Sequence, residues 1–363
     1  MRPEAAPATE QGGGQTGPID TDLHPHVSGG LGALVEYMPR NARVRSASDA
    51  AMHETERPGS NPRRVAAEHM DRLGLSGAVL IPLESINGFT DPLTASVYSR
   101  ALNRFLIEKW LPADPRYHLA LMVLPHDPAK AAREIRDHRN QPRIAGVYLP
   151  LLNILMGSSY YHPIYKRALE QGLPVIVHPA GPEGAYYGAP VVAGGVPATY
   201  LERHVALPQI AQANLSSLIM NGVFEEFPGL KVVFAEFGFA WAVPLMWRLD
   251  MDWRRLRRET PWVRKPPSEY VRESVRFTMQ PMEEAPLEQM HKLMRMLSAD
   301  RTLMFSTDYP HWDRFDLADV MAAVPPDYRA RVSHETALET FPLMSRSLTG
   351  GRPYSSVCRS TLR

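Results

Sequence analysis

Short apolar runs of five to seven residues recur along the chain, separated by segments whose apolar positions return every three to four residues. IDTDLH (19–24), AVLIP (78–82), LALMVLP (119–125), IAGVYLP (144–150), PVIVH (174–178), KVVFAE (231–236), VRFTMQP (275–281) and LMFSTD (303–308) read as eight strands. NPRRVAAEHMDRLG, PAKAAREIRDHR, HPIYKRALEQG and VALPQIAQANLSSLIMNGVFEEFPG carry the helical period and lie between them. Strands that are mostly apolar throughout, alternating with helices, are what a parallel sheet under a helical layer requires. Eight such units predict an α/β architecture, a (β/α)8 TIM barrel with insertions. A doubly wound open sheet is the alternative, but no Gly-rich phosphate loop follows the first strand.

Composition narrows the setting. A 363-residue chain that is 44% hydrophobic can bury a large core, which excludes a peptide hormone or a disordered tail. Forty Lys and Arg against 39 Asp and Glu leave a net charge of +1, so no global field attracts nucleic acid or an anionic membrane. The expected partner is a small molecule, with a homodimer as the usual form of self-association. Residues 1–17 lack a signal-peptide core and read as a disordered arm, 18–345 as the barrel and 346–363 as a flexible tail. No apolar stretch approaches the ~20 residues that span a bilayer, and the single cysteine, Cys358, fits a reducing compartment; the expected location is cytoplasmic.

Chemistry gathers at the strand ends, where a barrel of this kind places its active site. The first strand finishes in His24-Pro25-His26, the fifth in His178, the sixth in Glu236, the seventh in Gln280 and the eighth in Asp308. Residues two apart on a strand share a side, so His24 and His26 can aim at one point. That spacing alone fits two surface turn residues equally well. Its coincidence with His178 and Asp308 completes an N3O set suited to one divalent ion, zinc first, with manganese, iron or cobalt as alternatives.

The chain resembles the amidohydrolase superfamily, specifically the amidohydrolase-related branch that includes aminocarboxymuconate-semialdehyde decarboxylase. The resemblance rests on D-x-H-x-H at Asp22 to His26, PVIVHPAG at 174–181, GVFEEFPGLKVVFAEFGFAW at 222–241 and LMFSTDYPHWD at 303–313. It implies that His24, His26, His178 and Asp308 bind one catalytic metal, and that Asp308 also moves a proton. Where better-known relatives carry a His after the sixth strand, this chain has Glu236, which is open to four readings: a further ligand, a general base acting on the bound water, an acceptor that orients an imidazole, or a structural carboxylate paired with an Arg.

Other candidates are His311 as a catalytic neighbour of the metal, and Arg203, His204 and Gln280 as substrate-binding groups, Arg203 through its bidentate fork for a carboxylate. His126 reads as loop structure, and Trp241, Trp247 and Trp253 as core or subunit interface. Insertions at 27–62, 83–117, 151–165 and 182–202, with Phe89, Tyr160, Tyr161, Tyr186 and Tyr187, are expected to shape a partly aromatic pocket. The expected function is a metal-dependent hydrolase that attacks an amide, lactone or activated carbonyl through a metal-bound water. The alternative is a non-oxidative metal-dependent decarboxylase of a small carboxylic acid, and a non-catalytic metal-binding barrel is a third class.

Overall fold

A computed structural model describes residues 17–42, 57–84, 86, 89, 91–179, 195, 197–311 and 316–350. Its eight strands are β1 (Ile19–Leu23), β2 (Gly77–Leu80), β3 (Tyr117–Met122), β4 (Ile144–Tyr148), β5 (Val175–Val177), β6 (Val232–Phe234), β7 (Val275–Thr278) and β8 (Leu303–Met304). They pair in parallel in sequence order from β1 to β8. The ring closes where Thr21 N donates to Phe305 O (3.0 Å), Asp308 N to Asp22 O (3.0 Å) and His24 N to Tyr309 O (2.8 Å). The protein is a (β/α)8 TIM barrel, as the pattern of runs predicts.

The helices fill the outer layer: α1 (Pro62–Val65, continuing through the π-helical Ala66–Asp71), α2 (Pro92–Phe105), α3 (Pro128–Asp137), α4 (His162–Glu170), α5 (Tyr200–Met220), α6 (Ala242–Leu256), α7 (Pro267–Ser274), α8 (Leu287–Leu297) and α9 (Leu317–Ala322). Three begin with the same local device. Asn61, Asp91 and Asp127 accept backbone N–H bonds at the N-cap, and the Pro that follows each has no N–H to leave unsatisfied. All eight strands are buried along their whole length, which explains why they are mostly apolar, with buried polar exceptions such as Asp20, Asp22, His118 and Arg276. Among the described residues, no helix is long and apolar enough to cross a membrane.

Several details depart from expectation. The helix expected to run unbroken over 205–229 starts at Tyr200 and stops at Met220, with a short helix, Val223–Glu226, after it. Gly222 makes the break: its φ is +73°, and a Cβ there would lie 2.6 Å from Trp262 Cδ1. Trp241 and Trp253 are buried, while Trp247 is 61% exposed, so the three do not form one face. Tyr161 is a core residue whose hydroxyl donates to Ile154 O, and Phe89 stacks on Tyr98. The last helix runs from Pro342 to Leu348, so residues 346–348 of the expected tail are helical. Tyr186, Tyr187 and Cys358 lie outside the described residues, as do residues 1–16 of the expected arm and 351–363 of the expected tail.

Candidate metal centre at the barrel mouth

Two groups of side chains converge just beyond the strand ends. Asp22, His24, His178 and Asp308 each offer a ligand atom within 4.8 Å of the others, and His24, Glu236, Asp308 and His311 do the same. The chain is steered there by backbone as well as by side chain. Glu236 and Asp308, two residues past the end of β6 and four past the end of β8, both have φ of +57°, the left-handed region that non-glycine residues rarely occupy. Each of these reversals is fixed by its own amide: Glu236 N donates to Thr278 Oγ1 (3.0 Å) and Asp308 N to Asp22 O.

The imidazoles are oriented from behind. His24 Nδ1 lies 2.9 Å from Ile81 O and His178 Nδ1 lies 2.6 Å from Pro179 O, so in both rings Nε2 faces the cluster. His24 Nε2 is 2.7 Å from Asp308 Oδ1 and 3.5 Å from Asp22 Oδ1. His178 Nε2 is 2.9 Å from Glu236 Oε2 and 3.6 Å from Asp22 Oδ1. His311 Nδ1 meets the same Asp308 oxygen as His24, at 2.8 Å, and its ring lies 4.8 Å from that of His24.

The electrostatics follow from three carboxylates in so small a volume. Asp22 is fully buried and its carboxyl is pushed well above the ordinary range, first by burial and then by Asp308, Glu236 and Asp20. Burial, and then Asp308, raises Glu236 to about 7, against the charges of His24, His311 and His204. Burial acts on Asp308 in the same direction, but hydrogen bonds from His24 and His311 outweigh it and hold that carboxyl below its ordinary value.

Whether a metal fits can be judged from Asp22. Its Oδ1 is buried without a hydrogen-bond partner, yet two imidazole Nε2 atoms stand 3.5 and 3.6 Å away, too far to bond and well placed to share an ion. Two imidazoles and two carboxylates form a borderline-hard donor set, and a single divalent metal ion fits it.

The candidates read from the sequence are distributed unevenly about this centre. His24, His178, Asp308, Glu236 and His311 come together. His26 does not join either group: its amide donates to Gly59 O (2.9 Å), its Nδ1 is 3.9 Å from Glu84 Oε1, and burial lowers its pKa to about 4, with His24, Arg57 and His311 adding to the effect. Among the grouped ligand atoms, Asp22 stands beside His24 and His26 does not. Ladder pairing of β1 ends at Leu23, so strand alternation relates Asp22 to His24 better than it relates His24 to His26. A charged residue inside a buried strand was the available signal. Gln280 is tied into a turn, its N donating to Ser306 Oγ and its Oε1 accepting from Met282 N. Arg203 and His204 lie on the first turn of α5 and pack on Tyr200, with the guanidinium 5.7 Å and the imidazole 5.8 Å from that ring. His126 sits after β3 at a separate cavity of about 230 Å³ between α2 and α3.

A family model described as "Amidohydrolase" matches residues 19–343, the whole barrel. The chain belongs to the amidohydrolase family. No curated protein matches the sequence. Among solved structures, this amidohydrolase is similar to 5-carboxyvanillate decarboxylase LigW from Sphingomonas paucimobilis, with 20% identity, a TM-score of 0.67 and coverage of 90% of this chain and 99% of that one. A dihydroxybenzoic acid decarboxylase from Polaromonas sp. JS666, with bound manganese and the inhibitor 2-nitroresorcinol, gives 19% identity, a TM-score of 0.67 and coverage of 91% and 98%. An amidohydrolase from Mycobacterium avium subsp. paratuberculosis K-10 gives 17%, 0.66, 91% and 100%. At these identities the likeness is one of fold.

Proposed function

We propose that this amidohydrolase is a metal-dependent, non-oxidative decarboxylase of a small carboxylic acid. The observation that carries the reading is the pairing, inside one buried cluster, of a carboxyl raised to about 7, Glu236, with a carboxyl held ionised, Asp308. Decarboxylation breaks the bond between a carbon and its carboxylate, releases CO2 and leaves an electron pair on carbon that must take a proton. An acid that is still protonated near neutral pH is therefore required. The names of two of the solved neighbours support the same reaction class, and they direct attention to hydroxylated benzoic acids as substrates.

Asp22, His24, His178 and Asp308 would hold the divalent ion. When bound, such an ion supplies the positive charge that fixes substrate oxygens and draws electrons from the breaking bond. Glu236 Oε carries the proton to carbon. Asp308 stays ionised between His24 and His311 and orients both rings through its Oδ1. His311, 31% exposed where Asp308 is 4%, links the cluster to solvent and returns the proton.

One observation favours a second reading. The ionised form of Glu236, beside His178, is placed to take a proton from water, as hydrolysis of an amide, lactone or activated carbonyl requires. Incubation with hydroxybenzoic acids in water enriched in 18O separates the two. The proposal expects CO2 release and no solvent oxygen in the organic product. Solvent oxygen in the product of an amide or lactone, with no CO2 from any acid tested, overturns it.

A further inference from the structure

The seam that closes the barrel carries a second buried polar cluster, set behind the metal centre. Asp20, Thr307 and His69 are 0%, 3% and 2% exposed. Asp20 Oδ1 accepts the backbone N–H of Asp22 (3.1 Å) and of Thr307 (3.0 Å). Asp20 Oδ2 accepts the Thr307 hydroxyl (2.5 Å), and His69 Nε2, from α1, reaches both Oδ2 (3.3 Å) and Thr307 Oγ1 (3.1 Å). Thr307 Oγ1 in turn accepts from Tyr309 N (3.2 Å), and the His69 ring lies against Tyr309 at 4.3 Å.

One carboxylate thus holds the amide of Asp22 itself and the amide just before Asp308. These two acidic residues would both ligate the ion, and without one they repel each other. Along this seam, backbone bonding consists of the three contacts of Thr21, His24 and Asp308 rather than an extended ladder. We propose that Asp20, Thr307 and His69 are positioning residues that clamp β1 to the end of β8. They set the separation of Asp22 and Asp308 before the metal arrives, and so set metal affinity. The inference rests on the metal reading of the mouth, and hydrogen-bonded partners behind ligands are commonly worth 10- to 100-fold in affinity.

Mn²⁺ affinity, measured on the full chain by electron paramagnetic resonance titration, tests it alongside melting temperature in EDTA. Thr307→Val keeps the side chain's shape and removes its hydrogen bonds, and is expected to weaken Mn²⁺ binding at least ~10-fold. Thr307→Ser, which restores the hydroxyl, is expected to return affinity to near wild type. A merely structural role would lower the melting temperature of Thr307→Val and leave Mn²⁺ affinity unchanged, which overturns the proposal. Should Thr307→Val fail to fold, His69→Phe, which keeps the ring against Tyr309, is read in the same way. Asp22→Asn separates the two layers of argument: wild-type Mn²⁺ affinity in that variant refutes the metal site itself, whereas lost affinity there with none lost in Thr307→Val refutes only the clamp.

Discussion

Replacing Glu236 with Gln in protein stripped of metal isolates the free energy of holding a third carboxylate at the barrel mouth. The side chain is nearly as buried as a core residue, and its pKa rises from 4.5 to about 7 because burial and Asp308 disfavour the charge. Each tenfold change in proton affinity is worth about 1.4 kcal/mol, so the rise corresponds to roughly 3 kcal/mol. A folded-state pKa above the unfolded one means that the stability contribution is complete below pH 4.5 and is lost as pH rises through about 7. The amide carries no charge at any pH. In EDTA at pH 8.5, Glu236→Gln should therefore be more stable than wild type by about 3 kcal/mol, and the gap should close toward pH 4.5. With an unfolding entropy near 2.1 cal/mol/K per residue over 363 residues, this is a rise of about 4 °C in melting temperature. Differential scanning calorimetry across that pH range reads it directly. The charges of His24, His311 and His204 act in the opposite sense. If Glu236→Gln melts lower than wild type at pH 8.5, or if the gap does not depend on pH, Glu236 is an ionised partner of His178, and its part as proton carrier fails.

Two further substitutions probe the same centre. Asp308→Asn keeps the shape and one ligand oxygen but removes the charge that orients His24 and His311, so turnover should fall at least ~10²-fold with the circular dichroism spectrum unchanged; near wild-type turnover would leave Asp308 a structural cap on β8. His24→Ala should lose most bound metal while His26→Ala keeps about one ion per chain, because His26 bonds to the loop at Gly59 and lies outside both ligand groups. Loss of metal from His26→Ala, measured by elemental analysis, would mean that this loop rearranges on binding to bring His26 in.

The barrel was legible because its signal is local and repeated. Buried parallel strands must be apolar on both faces, and eight such runs with helices between them leave few topologies. Boundaries were less legible, and β8 shows why. The run LMFSTD reads as six strand residues, but only Leu303–Met304 pair in the ladder. Phe305 N turns aside to Val332 O, Thr307 N goes to Asp20, and Asp308 N reaches across the seam to Asp22 O. Hydrogen bonds that depend on distant residues end the strand, and no property of the hexapeptide reports them.

The same distinction separates the legible part of the site from the rest. Residues at strand ends are brought together by topology, so His24, His178, Glu236 and Asp308 could be read once the strands were. Asp22 needed one more fact, the point where β1 stops alternating, since the two-residue rule pairs it with His24 as readily as it pairs His24 with His26. The pairing of His69 with Asp20 needed tertiary structure outright: they are 49 positions apart, one on a helix and one on a strand, and although a charged residue inside a buried strand marks Asp20, no local pattern joins the two. The role of Glu236 lies deeper still. A glutamate at that position is a base, a ligand or an acid according to the charges around it. Here burial beside Asp308, itself kept ionised by two imidazoles, is what shifts Glu236 toward the protonated form. Residue identity places a carboxyl at the mouth, and the field of its neighbours determines which way the proton moves.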